Sequence, residues 1–134
     1  NAIGYFPSDL PPPDGEVTTS VGGGAERFIL VFADHGLSCG NPSGSTPGAG
    51  ETQHRYVIRL LPEHLAPGIY QLSDPSIETD YFEFQSNTAA VGGGGGATGT
   101  LTILSVTDDA IELELDGVPY DFANGAGTVP RCGG

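Results

Sequence analysis

Glycine and proline punctuate this chain so often that a long helix has no room to form. There are 22 glycines and 11 prolines in 134 residues. Each interrupts an apolar or helical pattern. What survives between them is a series of short runs rich in β-branched and aromatic residues, bounded by turn chemistry. The expectation is an all-β, single-domain antiparallel β-sandwich of seven to eight strands, with a small β-barrel as the alternative. One domain also fits the length, which is enough to bury one real core.

The last third carries the strongest pattern. Residues 99–107, 110–115, 118–123 and 126–131 read as four strands of a β-meander. Asp116-Gly117 and Asn124-Gly125 are strong hairpin signals. A two-residue turn at Asp116-Gly117 pairs Leu115 with Val118, Leu113 with Tyr120 and Ile111 with Phe122. A turn about Asp108-Asp109 pairs Val106 with Ile111 and Leu104 with Leu113. The Asn124-Gly125 turn sets Val129 opposite Tyr120. All these apolar residues then share one face, and a slip of one residue would turn charges inward. The opposite face is polar (Ser105, Glu112, Glu114, Asp121, Thr128), interrupted by Leu101 and Ile103.

Upstream, residues 27–33 form a continuous apolar run, Arg-Phe-Ile-Leu-Val-Phe-Ala. It is expected to be a strand buried on both faces. Residues 34–51 form a long loop. Residues 53–61 resume as a strand, with His54, Tyr56, Ile58 and Leu60 on one face. Residues 61–68 read as a turn or a single helical turn, followed by a short strand at 69–72. Residues 81–85 are another strand, and the glycine-rich 91–99 a loop. Residues 1–26 read as an extended N-terminal arm, stiffened by Pro11-Pro12-Pro13 and jointed at Gly22-Gly23-Gly24, ahead of the sandwich at 27–134.

Charge and cysteine usage bound the function. Seventeen acidic residues face four basic ones, all arginine, for a formal net charge of −13. Such a chain repels phosphate backbones, so nucleic acid is not an expected partner. No apolar run approaches membrane-spanning length, so no transmembrane segment is expected. The two cysteines, Cys39 and Cys132, lack Cys-x-x-Cys spacing and are expected to form one disulfide. With an N-terminal Asn read as a processed end, this points to an extracytoplasmic protein: secreted, periplasmic or surface-anchored. The proline-rich arm is similar to the tether of a surface lipoprotein.

Candidate chemistry is sparse. Copper or zinc would draw on His35, His54 and His64, since the cysteines are spent on each other. The segment Asn124-Gly125-Ala126-Gly127 with Arg131-Cys132-Gly133 resembles the C-terminus of copper–zinc superoxide dismutases. That family's His-x-His motif is absent here, and no ligand is carried over. Calcium would draw on Glu112 and Asp121, expected as direct cross-strand neighbours. No catalytic residue is assigned: Ser38, Ser43 and Ser45 lack a nucleophile motif, and the glycines at 92–96 lack the Lys-Ser/Thr of a phosphate loop. No cofactor is therefore expected. The leading reading is a non-enzymatic binding or structural domain at a cell surface or envelope, with a protein or glycan partner, or a second copy of itself. The alternatives are a self-assembling fibre subunit that donates the apolar residues 1–6 to a neighbour's sheet, and a secreted metal-dependent enzyme or hydrolase.

Overall fold

The computed structural model describes residues 2–6, 27–40, 52–85, 88–93 and 98–132. Nine strands lie among them: β1 (Ala2–Tyr5), β2 (Phe28–Ala33), β3 (Thr52–Leu60), β4 (Gly68–Gln71), β5 (Glu78–Gln85), β6 (Thr88–Gly93), β7 (Thr100–Val106), β8 (Ala110–Asp116) and β9 (Gly125–Pro130). A 3-10 turn at Pro62–His64 is the one helical element described. The strands form two antiparallel sheets, ordered β1-β2-β3-β5-β6 and β4-β7-β8-β9. They face each other as a β-sandwich rather than closing into a barrel.

Strand β2 sets the layering. Every residue from Phe28 to Ala33 is buried. Phe28, Leu30 and Phe32 point between the sheets, with Tyr56, Ile58 and Leu60 of β3 and with Leu101, Ile103, Ile111, Leu113 and Leu115 of the second sheet. Ile29, Val31 and Ala33 point the other way, into a second cluster with Ile3, Tyr5, Val57, Leu37 and Cys132. The period-2 alternation of a strand therefore feeds two cores at once.

The N-terminal residues depart from the expected arm. Ala2–Tyr5 pairs antiparallel with β2, Ile3 opposite Val31 and Tyr5 opposite Ile29. Both Ile3 and Tyr5 are fully buried. The edge of the chain's own sheet buries this apolar segment, which a free tether would leave in water. Residues 7–26 lie outside the described residues. Gly4 has to be glycine: a Cβ there would stand 2.8 Å from the Phe28 ring. Likewise the expected loop at 91–99 begins later, since β6 extends through Gly93.

The meander is corrected in two places. Residues 118–123 are not a strand, and β8 pairs directly with β9, with Leu115 opposite Gly125, Leu113 opposite Gly127 and Ile111 opposite Val129. Pro119 gives the reason. A strand at 118–123 would be central, and proline cannot donate to a ladder there. The segment instead folds as a compact loop held by Asn124, whose Oδ1 accepts from the Val118 N–H at 3.0 Å and whose Nδ2 donates to the Val118 carbonyl at 2.6 Å. Tyr120 and Phe122 still pack against the main core.

The second correction is a β-bulge in β7. Val106 pairs with Ile111 as expected, but the register shifts between Ile103 and Ser105, so Ile103 rather than Leu104 faces Leu113. One extra residue inverts the side-chain parity of everything before it. Leu101 and Ile103, expected on the polar face, are therefore 0% and 2% exposed, while Leu104, expected inside, is 57% exposed.

Across one side of the sandwich, β1 and β9 are edges of different sheets that touch at one end. Gly4 and Arg131 form an isolated parallel bridge, and the Cys132 N–H donates to the Gly4 carbonyl at 2.8 Å. The expected disulfide Cys39–Cys132 is present, with Cα atoms 5.3 Å apart and a sequence separation of 93. A loop of this length restricts the unfolded chain by about 4–5 kcal/mol in the chain-entropy account. The Arg131 guanidinium lies 5.8 Å from the Phe6 ring centroid and 5.5 Å from that of Phe28.

The bulge makes a direct prediction. Ile103→Ala should cost about 2–5 kcal/mol in urea unfolding, and Leu104→Ala less than about 0.5 kcal/mol. The reverse order would restore the unbulged register.

Candidate functional site

The three histidines divide two and one. Strand β3 carries His54 near its start, while His64 sits in the 3-10 turn beyond its end. The six strand steps from His54 to Leu60 alone span about 20 Å. His64 is used locally: its Nδ1 accepts the Leu61 N–H at 3.1 Å, its Nε2 lies 3.4 Å from Ser76 Oγ, and its ring meets Tyr70 edge-on at 5.4 Å.

His35 and His54 meet at Asp34, the first residue after β2. Ala33 pairs with Arg55 across β2 and β3, which places Asp34 beside His54. The Asp34 carboxylate accepts the His54 backbone N–H at 2.8 Å and the His54 Nδ1–H at 2.6 Å. His35 Nδ1 stands 3.3 Å from the same carboxylate. On the far side of the His54 ring, Nε2 lies 3.3 Å from Glu83 Oε1, because β3 and β5 set His54 opposite Glu83. The Arg55 Nε–H donates to His35 Nε2 at 3.3 Å. That bond makes Nε2 an acceptor and leaves the His35 proton on Nδ1, directed at Asp34.

Aromatic rings frame this line of charges. His54 stacks over Tyr81 with centroids 6.1 Å apart, and Tyr81 stacks on Tyr120 at 4.2 Å with an interplanar angle of 4°. Phe122 lies 6.2 Å from His54, and Tyr56 5.3 Å from Tyr120. The stack joins the first sheet to the loop after β8.

The electrostatics follow from these contacts. The hydrogen bond to Asp34 pushes His54 above its ordinary pKa; burial opposes this, and the charges of Asp34 and Glu83 reinforce it. Burial works against the Asp34 charge, but the hydrogen bonds from the His54 backbone, its ring and His35 outweigh burial and hold the carboxyl below its ordinary value. Burial also raises the phenols of Tyr56 and Tyr81.

What this arrangement can do is limited by its own satisfaction. The two carboxylates approach His54 from opposite ring nitrogens, so the donors form a chain and do not converge on a point. Among the described residues no group of three or more His, Cys, Asp or Glu is placed to hold a metal ion. A general base directs a free ring nitrogen at its substrate, whereas Glu83 occupies that nitrogen here.

The acidic pair expected across strands is not assembled. Glu112 is opposite Ser105 and Thr128, while Asp121 lies in the turn after β8, because 118–123 is not a strand. Ser38 is exposed, and Ser43 and Ser45 lie outside the described residues. Asp34 and Glu83 were not singled out from sequence. The only local hint was the Asp34-His35 pair closing an apolar strand; the partnering of Glu83 depends on the β3–β5 register.

A cleft of about 200 Å³ opens next to Phe122. Ala2, Phe32, Leu113 and the stretch from Phe122 to Val129 line it. It is the seam between β1 and β9, open at the end away from the Gly4–Arg131 bridge. Comparison of the chain with protein-family models, with curated proteins and with solved structures gave no significant match.

The Asp34–His54 pair predicts a pH dependence. His54 has a folded pKa above 6.5, so its contribution is complete below pH 6.5 and is lost as pH rises through the folded value. Asp34 has a folded pKa below 3.8, so its contribution is complete above pH 3.8 and is lost as pH falls through the lower folded value. Both act together between those limits. The stability difference between wild type and His54→Gln should peak in that mildly acidic window and shrink at alkaline pH. The two side chains are 29% and 31% exposed, so solvent screening should keep the difference below about 1 kcal/mol. Urea titrations across pH measure it; a difference that grows with pH would reverse the sign.

Proposed function

We propose that this chain is a non-enzymatic extracytoplasmic module with a binding or structural role at a cell surface or envelope. The observation that carries this reading is how the reactive side chains are used. His54 is held at both ring nitrogens by carboxylates, and His64 caps its own turn. The cleft is lined instead by the apolar Ala2, Phe32, Leu113, Phe122 and Val129, by Asn124 and Thr128, and by the main chain of β9, a mixed lining suited to holding a partner.

The disulfide supports the extracytoplasmic reading, and the charge bears on the partner. The Cys39–Cys132 bond persists in an oxidising environment. All four arginines are engaged within the fold. Arg27 binds the Ser76 carbonyl and Glu78, Arg55 binds His35, Arg59 binds Asp80, and Arg131 donates to the Thr107 carbonyl. With the arginines so engaged, the net charge of −13 favours solubility and a cationic partner. The fibre alternative would require β1 to leave the edge of its own sheet, where Ile3 and Tyr5 are buried.

Two measurements on one purified sample test the reading. Elemental analysis should find no stoichiometric copper, zinc or calcium. Non-reducing mass spectrometry of protein taken from its native compartment should find Cys39 and Cys132 bridged. Stoichiometric transition metal would favour the enzyme alternative, and two free thiols would remove the extracytoplasmic assignment.

A further inference from the structure

The open seam beside β9 has three features that together describe an occupant. The first is its main chain. The Arg131 N–H donates to Asp109, toward β8, and the Cys132 N–H donates to Gly4, away from β8. Main-chain direction alternates along an antiparallel strand. Ala126, Thr128 and Pro130 therefore turn their backbone groups away from β8, as Cys132 does. Cys132 finds Gly4 there, while among the described residues no backbone hydrogen bond from β1 reaches Ala126 or Thr128. Both residues are exposed.

The second feature is missing volume. Gly127 stands opposite the buried Leu113, on the face that points into the sandwich. Among the described residues, a Cβ added at Gly127 would meet nothing within 4 Å. The backbone there is not left-handed, so no conformational need for glycine accounts for the gap. The vacancy is part of the cleft bordered by Phe32, Leu113 and Phe122, and one inserted apolar side chain would fill it.

The third feature is charge. Glu112 pairs with Thr128 and Glu114 with Ala126; both glutamates are exposed on the outer face. A strand added to β9 would place alternate side chains on that face, about 10 Å from the β8 backbone at two strand spacings. Lysine or arginine spans that gap to a glutamate; an acidic side chain is repelled. A second copy adding β9 to β9 would extend the sheet with the same glutamates and join two chains of net charge −13, so it fits poorly.

We infer that the β9 edge accepts an extended peptide of alternating apolar and basic residues, which adds as a fifth strand to the β4-β7-β8-β9 sheet and seats one apolar side chain in the Gly127 vacancy. This is strand addition, in which main-chain bonds hold the ligand and alternate side-chain positions select it. It rests on the binding reading above and specifies its partner.

The test uses the full chain and an end-blocked peptide of alternating valine and lysine, with the matching valine–glutamate peptide as comparison. Calorimetry should show binding of the basic peptide, weakened by added salt, and at least about tenfold weaker binding of the acidic one. Hydrogen exchange should show new protection at the Ala126 and Thr128 amides. Thr128→Pro removes an outward N–H without touching the β8 ladder, and Gly127→Val fills the vacancy with a side chain the fold has space for. Each should weaken binding at least about tenfold. Gly127→Val keeps the test decisive if the proline variant does not fold. No binding, binding undiminished in Gly127→Val, or β9-dependent dimers in size-exclusion chromatography would each overturn the assignment. None of these results alters the metal content or the thiol state, on which the broader reading stands or falls.

Discussion

A strand with no polar face is the constraint that organises this molecule. Phe28 to Ala33 carries six buried residues in succession, and a lone sheet exposes at least one side of every strand to water. Cover is needed on both sides. The second sheet supplies it for Phe28, Leu30 and Phe32. On the other side Ile29, Val31 and Ala33 share a cluster with Ile3 and Tyr5 of the adjoining β1, with Val57 of β3, and with Leu37 and Cys132, the last tied through Cys39 to the segment after β2. Burying apolar surface is the dominant gain in folding, so β2 draws β1 and Cys132 to its second face.

That cover brings charge with it. Arg55 and Arg59 lie on the same face of β3 as Val57 and are almost fully buried. Isolated buried charge is costly, and these side chains meet a histidine and an aspartate. The Asp34 cluster extends the same logic to the end of the sandwich. Its carboxylate collects three donors, and its histidine is braced by an aromatic stack. The cluster reads as a clamp between the first sheet and the loop after β8, whereas in the seam beside β9 the outward backbone groups of Ala126 and Thr128 meet no strand among the described residues.

Much of the architecture was legible in the sequence, and the reasons for the failures are specific. Strand β3 and its faces follow from alternation, and the 3-10 turn follows from Leu61-Pro62. The strand assigned to 118–123 failed because hairpin signals at Asp116-Gly117 outweighed Pro119, which forbids a central strand there. Leu104 failed because a bulge leaves no mark in a sequence that stays apolar through Leu101, Ile103 and Leu104. Among the site residues, His35 and His54 were identified as candidates, but not that Asp34 joins them or that His64 stands apart. Glu112 and Asp121 failed together with the strand that would have paired them.

What the sequence determined by itself is local structure and bulk composition: all-β structure and most strand positions, together with an acidic balance and two cysteines free to pair. The first two follow from backbone preferences and side-chain alternation acting over a few residues, the others from counting. Only the tertiary structure decided the parity of β7, the partners of His54 and the vacancy at Gly127. Each depends on which residue of a distant strand lies opposite, and register is a property of pairs of strands. A shift of a single residue exchanges the core face for the solvent face.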